Sequence, residues 1–464
     1  MNNMNYYALV LAAGKGTRMK TELPKCAFPI LKKPMIEYIV ESIEKSMIDE
    51  TIAVVGYKRD ILEDILTDRV NYAVQKDQLG TGHAALQAEA LLSKKEGTTL
   101  ILLGDMPLIN ETVIDSILKE HETLKNDLTV VTTHFNDPTG YGRIKRNDNG
   151  YITSIIEEND ATLKEKEIKE INTGIYAVDN QLLFKTLKDI KMNERKGEYY
   201  LTDIVSLLVN TYKVGTTTIK DNRLVMGVND LYNISIAEKY FRDAINKKHM
   251  LNGVSMINPE TITIGHNVTI EPNVTIYPNT TITGESIILK GAEIGPNTEI
   301  HDSTIHNDVE VKHSLVYDSV VEDRTTVGPF AHLRNHAHIG KDNRIGNFVE
   351  VKKSTTDSNT KAAHLAYIGD ATVGKNVNFG CGSITVNYDG VKKHQTVIGN
   401  DVFIGCNTNL VAPIKVEDSV FIAAGSTVTK DIPKGALAIA RNQQINKADY
   451  AKNLIKPNGL NQKK

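Results

Sequence analysis

Ile264, Ile270, Ile276, Ile282, Ile288, Ile294 and Ile300 fall on every sixth residue of this 464-residue chain, and the same step returns at Ile398, Ile404, Leu410, Val416, Ile422 and Val428. Neither an α-helix nor an ordinary strand has that period. Small, polar or glycine residues fill much of the space between, as in Ile264-Gly265-His266-Asn267-Val268-Thr269. Six residues make one flat face and one corner, and about three such units close a coil, so the pattern predicts a parallel β-helix with the aliphatic side chains stacked inside. From Ile262 to Val428 the region is long enough for about nine coils, each supported by its neighbours. The period breaks between Val351 and Ile368, and again over Asn387–His394, which is expected to leave the coil as a protruding loop. Long loops on repeats often form the binding face. Arg334, Glu350, Lys352, His364, Tyr367 and Asn378 fall in this region. A lone histidine in a loop is usually unremarkable, but Arg and Lys suit a phosphate and a carboxylate can orient an imidazole.

The first 230 residues follow a different rhythm. Apolar runs at Thr51–Val55 and Thr98–Leu103 alternate with helical patterns at Met35–Lys45, His83–Leu92 and Glu111–His121, which predicts crossover units and a mostly parallel sheet. Ligands in such sheets bind at the carboxyl ends of the strands. The run Tyr7–Ala12 breaks at Gly14-Lys15-Gly16-Thr17, where two glycines allow a tight turn with N–H groups facing outward. Such a nest suits a phosphate, and Arg18 and Lys25 supply cations nearby. Glycines at this spacing are equally compatible with a plain tight turn. The stretch also lacks the third glycine of a dinucleotide loop and the Gly-Lys-Ser/Thr ending of a P-loop.

Three further polar stretches fall at strand ends or beyond them. Gln75 to His83, with Gly80 and Thr81, can read a base edge or simply cap a helix with Thr. Asp105 ends an apolar strand in Leu103-Gly104-Asp105-Met106-Pro107, where one carboxylate can hold Mg²⁺ against a phosphate or merely satisfy backbone amides. Asp137–Arg143, Glu157 and Ile171–Gly174 set short polar groups beside glycines, as a sugar ring requires. The segment Asp230–Met250 has few helix breakers and predicts a connecting helix that ends near Asn252-Gly253. The domains are thus expected at residues 1–230, 231–252 as a linker helix, and 253–464 with a polar, Lys-rich tail after Arg441 that would order on assembly or cofactor binding.

With 54 basic and 57 acidic residues, the net charge of −3 gives no field for nucleic acid or an anionic membrane. Small molecules are the expected partners. Three well-separated cysteines argue against a disulfide framework and for a reducing, cytoplasmic setting. No apolar run is long enough to span a bilayer.

Leu11-x-x-Gly14-x-Gly16-Thr17-Arg18-Met19 followed by Leu23-Pro24-Lys25 resembles the signature of sugar-1-phosphate nucleotidyltransferases. Gly328–Arg334, Gly346–Lys353 and His364–Asp370 resemble the acetyltransferase half of the bifunctional N-acetylglucosamine-1-phosphate uridyltransferase and glucosamine-1-phosphate acetyltransferase family. The likeness covers nearly the whole chain. It implies an α/β Rossmann-like nucleotidyltransferase domain followed by a left-handed hexapeptide β-helix, assembled as a homotrimer with active sites between subunits. The implied product, made for cell-wall precursor synthesis, is UDP-N-acetylglucosamine. UTP, glucosamine-1-phosphate, N-acetylglucosamine-1-phosphate and acetyl-CoA are the implied substrates.

By that resemblance Leu11, Ala12, Ala13, Gly14, Lys25, Gln75, Gly80, Thr81 and Gly104 would hold the uridine nucleotide. Gly142, Glu157, Asn172 and Asn229 would complete the sugar and nucleotide pocket. Asp105 and Asn229 would bind Mg²⁺, with Arg18 and Lys25 neutralising charge. In the second half Arg334, Lys352, Tyr367 and Asn378 would bind glucosamine-1-phosphate, and His364, supported by Glu350, would take the proton of the attacking amine. Asn387 and Tyr388 would lie nearby, and acetyl-CoA would follow Cys381, Asn387, Tyr388, Cys406, Ala424 and Arg441, with backbone N–H groups there facing the oxyanion. The chain departs from the family at Leu103, where relatives carry Tyr, and at Cys381 and Cys406, where they carry Ala and Ser. Two competing readings are a nucleotidyltransferase whose β-helix serves only assembly or allostery, and a non-catalytic nucleotide-sugar sensor.

Overall fold

The computed structural model describes residues 5–453, so part of the expected C-terminal tail lies outside the described residues. The chain divides into two compact units at Phe241/Arg242. That point lies inside one helix, Leu231–Leu251, eleven residues beyond the expected edge of the first domain. The first half of the helix belongs to the first unit, where Ile234 and Ala237 are buried with Met19 and Tyr38. Asn246 belongs to the second, and its amide donates to the carbonyls of Pro259 and Ile262 at 2.9 Å.

In the first unit the strands lie in the order Val214–Thr218, Leu128–His134, Glu170–Asp179, Thr98–Leu103, Tyr6–Leu11, Glu50–Val55, Asn71–Val74. The last four are parallel, as the alternating pattern predicts. Glu170–Asp179 runs antiparallel to both neighbours, so the sheet is mixed. Strand alternation divides the core into two layers: Ala8 and Val10 face one layer, Tyr7, Leu9 and Leu11 the other. The helical run expected over His83–Leu92 is two short helices, Thr81–Leu86 and Glu89–Leu92. Two pairs of strand carboxyl ends are tied across the sheet, with Gly104 N–H donating to Leu11 O at 2.9 Å and Gln75 N–H to Val55 O at 2.8 Å.

The second unit is a parallel β-helix whose strands pair with the third strand onward. Ile264, Ile282, Ile300, Val316, Leu333, Val351 and Ile368 stack in one column. One face carries nine strands, from Thr269–Ile270 to Ile414–Val416, which agrees with the coil number expected from the repeat. A single buried apolar cluster runs from Val254 to Ile432. The apparent loss of period between Ile300 and Ile398 is not a loss of coil. A corner shortened by one residue, as between Ile300 and Ile305, slips the count but not the column. The same holds between Val351 and Ile368, where nine-residue strands Arg344–Lys352 and Lys361–Gly369 pair without an excursion. Asn387–His394 does leave the coil, closed by a bridge between Tyr388 and Lys393. Among the described residues no helix is long and apolar enough to cross a membrane.

Candidate functional sites

The carboxyl ends of the parallel strands deliver one polar cluster. Lys25 Nζ bonds Asp105 Oδ2 and reaches Asn229 Oδ1 at 2.7 Å, so a carboxylate and an amide oxygen converge on one cation. The amide is turned that way because its nitrogen donates to Gly227 O at 3.3 Å. The other carboxylate oxygen, Asp105 Oδ1, is buried with no hydrogen-bond partner. A buried acceptor left open in this way carries a desolvation cost that a ligand can relieve. Gly14, Gly16, Arg18, Lys25, Cys26, Asp105 and Asn229 enclose a cavity of about 290 Å³. Close packing shapes its floor: a Cβ on Gly104 would stand 2.9 Å from Cys26 Sγ and 3.0 Å from Ala12 Cβ. Burial, then the nearby Asp105 charge, pushes the Cys26 thiol up to about 12, which keeps it protonated and inert.

A second cavity of about 420 Å³ shares Arg18, Asp105 and Asn229 with the first and reaches Thr81, Gly142, Glu157 and Asn172. An irregularity in pairing between Asn172 and Tyr176 turns the strand's polar residues toward it. There Asn172 donates to the Tyr176 hydroxyl at 2.7 Å, and Gly174, at φ +84°, sits where a Cβ would meet Leu103 Cδ1. Leu103 thus packs on Gly174. Glu157 accepts from Thr202 Oγ1 at 3.1 Å, and burial holds its carboxyl above the usual glutamate range.

Gln75 is buried with its amide on Gly80 O at 3.1 Å and His83 Nδ1 at 3.0 Å. Thr81 does not cap its helix through its hydroxyl, which accepts from Leu201 N–H at 3.1 Å. Gly80, at φ +100°, has Tyr199 O where a Cβ would go, so this loop is fixed against the Tyr199–Leu201 backbone. Tyr141 and Thr202 line the larger cavity without having been singled out in the sequence. A tyrosine and a threonine in polar loops carry no distinguishing spacing.

In the β-helix, Arg334 pairs with Glu350 through Nε at 2.8 Å. Within one chain Glu350 is engaged by Arg334, and the acceptor beside His364 Nδ1 is Asn347 Oδ1 at 2.9 Å. Arg334 and Lys352 are in register on adjacent coils, and the Asn387–His394 loop returns Lys393 to them. Contact with Lys393, then burial and the Arg334 charge, holds the Lys352 ammonium below the usual lysine range. Three cations drawn together are the signature of an anion site. Lys393 was not among the expected residues; a Lys-Lys pair in a loop does not show which member points inward. Asn387 donates to the Tyr367 hydroxyl at 3.3 Å and to Asp370 at 2.6 Å, whereas the Tyr388 hydroxyl is bonded to Gly390 O. Asn378 stands on a different face, in register with Lys361 and Phe403.

One corner collects the remaining residues. Asn347 lies opposite His364, and Gly382 N–H donates to Leu365 O at 2.7 Å, which sets His364 opposite Cys381. Asn407 N–H donates to Cys381 O and Gly425 N–H to Cys406 O, both at 2.8 Å, so Cys406 and Ala424 continue the column. Arg441 closes it with a 2.9 Å bond to Ala424 O. The N–H groups of Gly382, Asn407 and Gly425 are used between coils and are not available to an oxyanion.

A nucleotidyl transferase family model matches residues 7–241, and a bacterial transferase hexapeptide model of six repeats matches residues 318–353 and 395–430. The chain is 65% identical to the bifunctional protein GlmU of Acholeplasma laidlawii over 98% of its own length and 99% of the relative's. It is 47% identical to that of Caldanaerobacter subterraneus over 98% and 99%, and 46% identical to that of Halalkalibacterium halodurans over 96% and 98%. A glycine-nest cavity at the end of a Rossmann-like sheet and a histidine-bearing corner on a left-handed β-helix therefore stand in one polypeptide because the chain belongs to the bifunctional GlmU family, enzymes with uridyltransferase and acetyltransferase activities.

Proposed function

We propose that the chain makes UDP-N-acetylglucosamine at two separate sites. The β-helix half acetylates glucosamine-1-phosphate with acetyl-CoA, and the N-terminal half transfers UMP from UTP to N-acetylglucosamine-1-phosphate and releases pyrophosphate. The observation that carries this reading is the convergence of Asp105 and Asn229 oxygens on one cation beside the Gly14–Gly16 turn and Arg18. An orphaned carboxylate oxygen with a neighbouring amide oxygen fits Mg²⁺, which takes few protein ligands and fills the rest with phosphate oxygens and water. Asp105 and Asn229 would hold that ion, which supplies charge neutralisation at the reacting phosphates. The loop N–H groups and Arg18 hold the triphosphate, and Lys25 moves from Asp105 toward it as the nucleotide arrives. Asn172, Glu157 and Gly142 orient the sugar so that its phosphate oxygen attacks the α-phosphorus in line.

In the second half Arg334, Lys352 and Lys393 receive the sugar phosphate. With Asn347 Oδ1 on Nδ1, the His364 ring keeps a lone pair at Nε2 and removes the proton as the amine attacks the thioester carbonyl. The corner column from His364 to Arg441 forms the wall along which acetyl-CoA lies. Phe330 and Phe348, 57% and 59% exposed and stacked at 5.5 Å, stand beside that column with Leu365. Exposed aromatic side chains on a rigid corner favour cover by a second copy, which supports a homotrimer with sites completed between subunits. Free thiols throughout fit a reducing, cytoplasmic setting.

The test is one reaction containing glucosamine-1-phosphate, acetyl-CoA, UTP and Mg²⁺, analysed for both products. Asp105→Ala should leave acetylated sugar phosphate accumulating and cut UDP-sugar at least about a hundredfold. His364→Ala should stop at unacetylated sugar phosphate yet still use supplied N-acetylglucosamine-1-phosphate. Loss of both activities in either variant, with the fold intact, would contradict separate sites.

A further inference from the structure

Cys381 and Cys406 occupy equivalent corner positions on consecutive coils, fixed by Gly380 N–H on Ile404 O and Asn407 N–H on Cys381 O, both at 2.8 Å. Both thiols are free and exposed, whereas Cys26 is buried. The backbones approach closely here: Gly380 and Gly382 flank Cys381, Gly405 precedes Cys406, a Cβ on Gly380 would lie 2.4 Å from Cys406 N, and Asn407 Oδ1 fills the place of a Cβ on Gly382. Neighbouring strands place paired Cα atoms about 4.8 Å apart, inside the window of about 4.4–6.8 Å that a disulfide requires. His364 is the next member of the same column, on the side of Cys381 away from Cys406.

We propose that Cys381 and Cys406 form a reversible redox pair that turns off acetyl transfer while leaving uridyl transfer running. One thiolate attacks a peroxide, breaking its O–O bond, giving a sulfenic acid and releasing one water. The second thiolate then attacks the sulfenic sulfur; the S–S bond forms and the hydroxyl leaves as a second water. Two thiols lose two electrons and two protons, and the peroxide is reduced to water. The parallel side-chain directions of stacked coils strain such a bridge, which keeps it easily reduced by dithiols. The loss of acetyl transfer follows because the bridge draws together side chains on the wall next to His364, a step that rests on the acetyl-CoA placement proposed above.

The full-length protein is treated with hydrogen peroxide, then with or without dithiothreitol, and both activities are measured beside peptide mass analysis. Trypsin releases Cys381 in Asn376–Lys392 and Cys406 in His394–Lys415, so the bridge appears as one linked species two hydrogens lighter than the pair. Expected are that species within one chain, at least a tenfold fall in acetyl transfer restored by dithiothreitol, and unchanged UDP-sugar formation. Cys406→Ala, compared with itself before and after peroxide, should lose the linked species and the dithiothreitol-reversible inhibition. Absence of the linked species while both thiols oxidise to higher acids, or a linked species with undiminished acetyl transfer, overturns the proposal. So does reversible inhibition that persists in Cys406→Ala. Untreated protein without acetyl transfer would instead refute the activity assigned to this half, and the linked peptide would still report on the pair.

Discussion

At the scale of single residues, the sites depend on atoms that are absent as much as on those present. Gly104 lets the Asp105 turn approach Cys26 and Ala12; an added methyl at 2.9–3.0 Å must push that turn away. Gly104→Ala should destabilise the N-terminal unit by about 1–3 kcal/mol and lower UDP-sugar formation, and urea unfolding followed beside the assay checks both. Glu157 shows a different economy. Burial, then the like charges of Asp203 and Asp160, keep its carboxyl protonated more readily than in the unfolded chain, against the Thr202 hydrogen bond. A raised carboxyl value means a contribution to stability that is whole below the ordinary glutamate pKa of about 4.3 and is lost as pH rises through the folded value. Glu157→Gln should therefore match the parent in acid and exceed it at neutral pH, while its KM for the sugar phosphate rises. Melting temperature against pH for both proteins would show a flat difference if burial of this carboxyl has no such effect.

At the scale of elements, the Asn387–His394 excursion matters because it brings a cation, Lys393, to the coil face from outside. Asp389 folds it, accepting from the Val391 and Lys392 N–H groups at 2.8 Å and pairing with His394 at 2.6 Å. The Lys392 N–H first, then His394 and the Val391 N–H, hold that carboxyl far below the usual aspartate range. Its depressed value sets the sign: the contribution is present above the ordinary aspartate pKa and is lost only as pH falls through the lower one. Asp389→Ala should free Lys393 and raise the KM for glucosamine-1-phosphate about tenfold with UMP transfer unaffected. An unchanged KM would show that the loop does not serve the phosphate. The coil itself was legible from its period over Ile262–Val428, yet the break read between Val351 and Ile368 is no break in the fold, since corners shortened by one residue keep the column while defeating a fixed count.

At the scale of the whole molecule, the exposed row of Phe330, Phe348 and Leu365 predicts assembly. Phe348→Asp should shift the protein from the proposed trimer to smaller species in light scattering and remove acetyl transfer, with UDP-sugar formation retained. A Phe348→Asp trimer with full activity would place the subunit contact elsewhere.

The sequence by itself determined the two architectures and their order, because a six-residue aliphatic period and an alternation of strand-like and helix-like segments are local patterns that each point to one class of fold. It also singled out Asp105, Arg334, Lys352 and His364, and the family resemblance added Asn229. Only the tertiary structure decided which groups meet: that Lys25 lies between Asp105 and Asn229, that Arg334 engages Glu350 and leaves Asn347 to His364, and that Lys393 returns to Lys352. Partners separated by one coil or by half a domain are chosen by register and packing. Spacing along the chain carries no trace of that choice, which is why the two cysteines read as distant residues in the sequence and stand side by side in the fold.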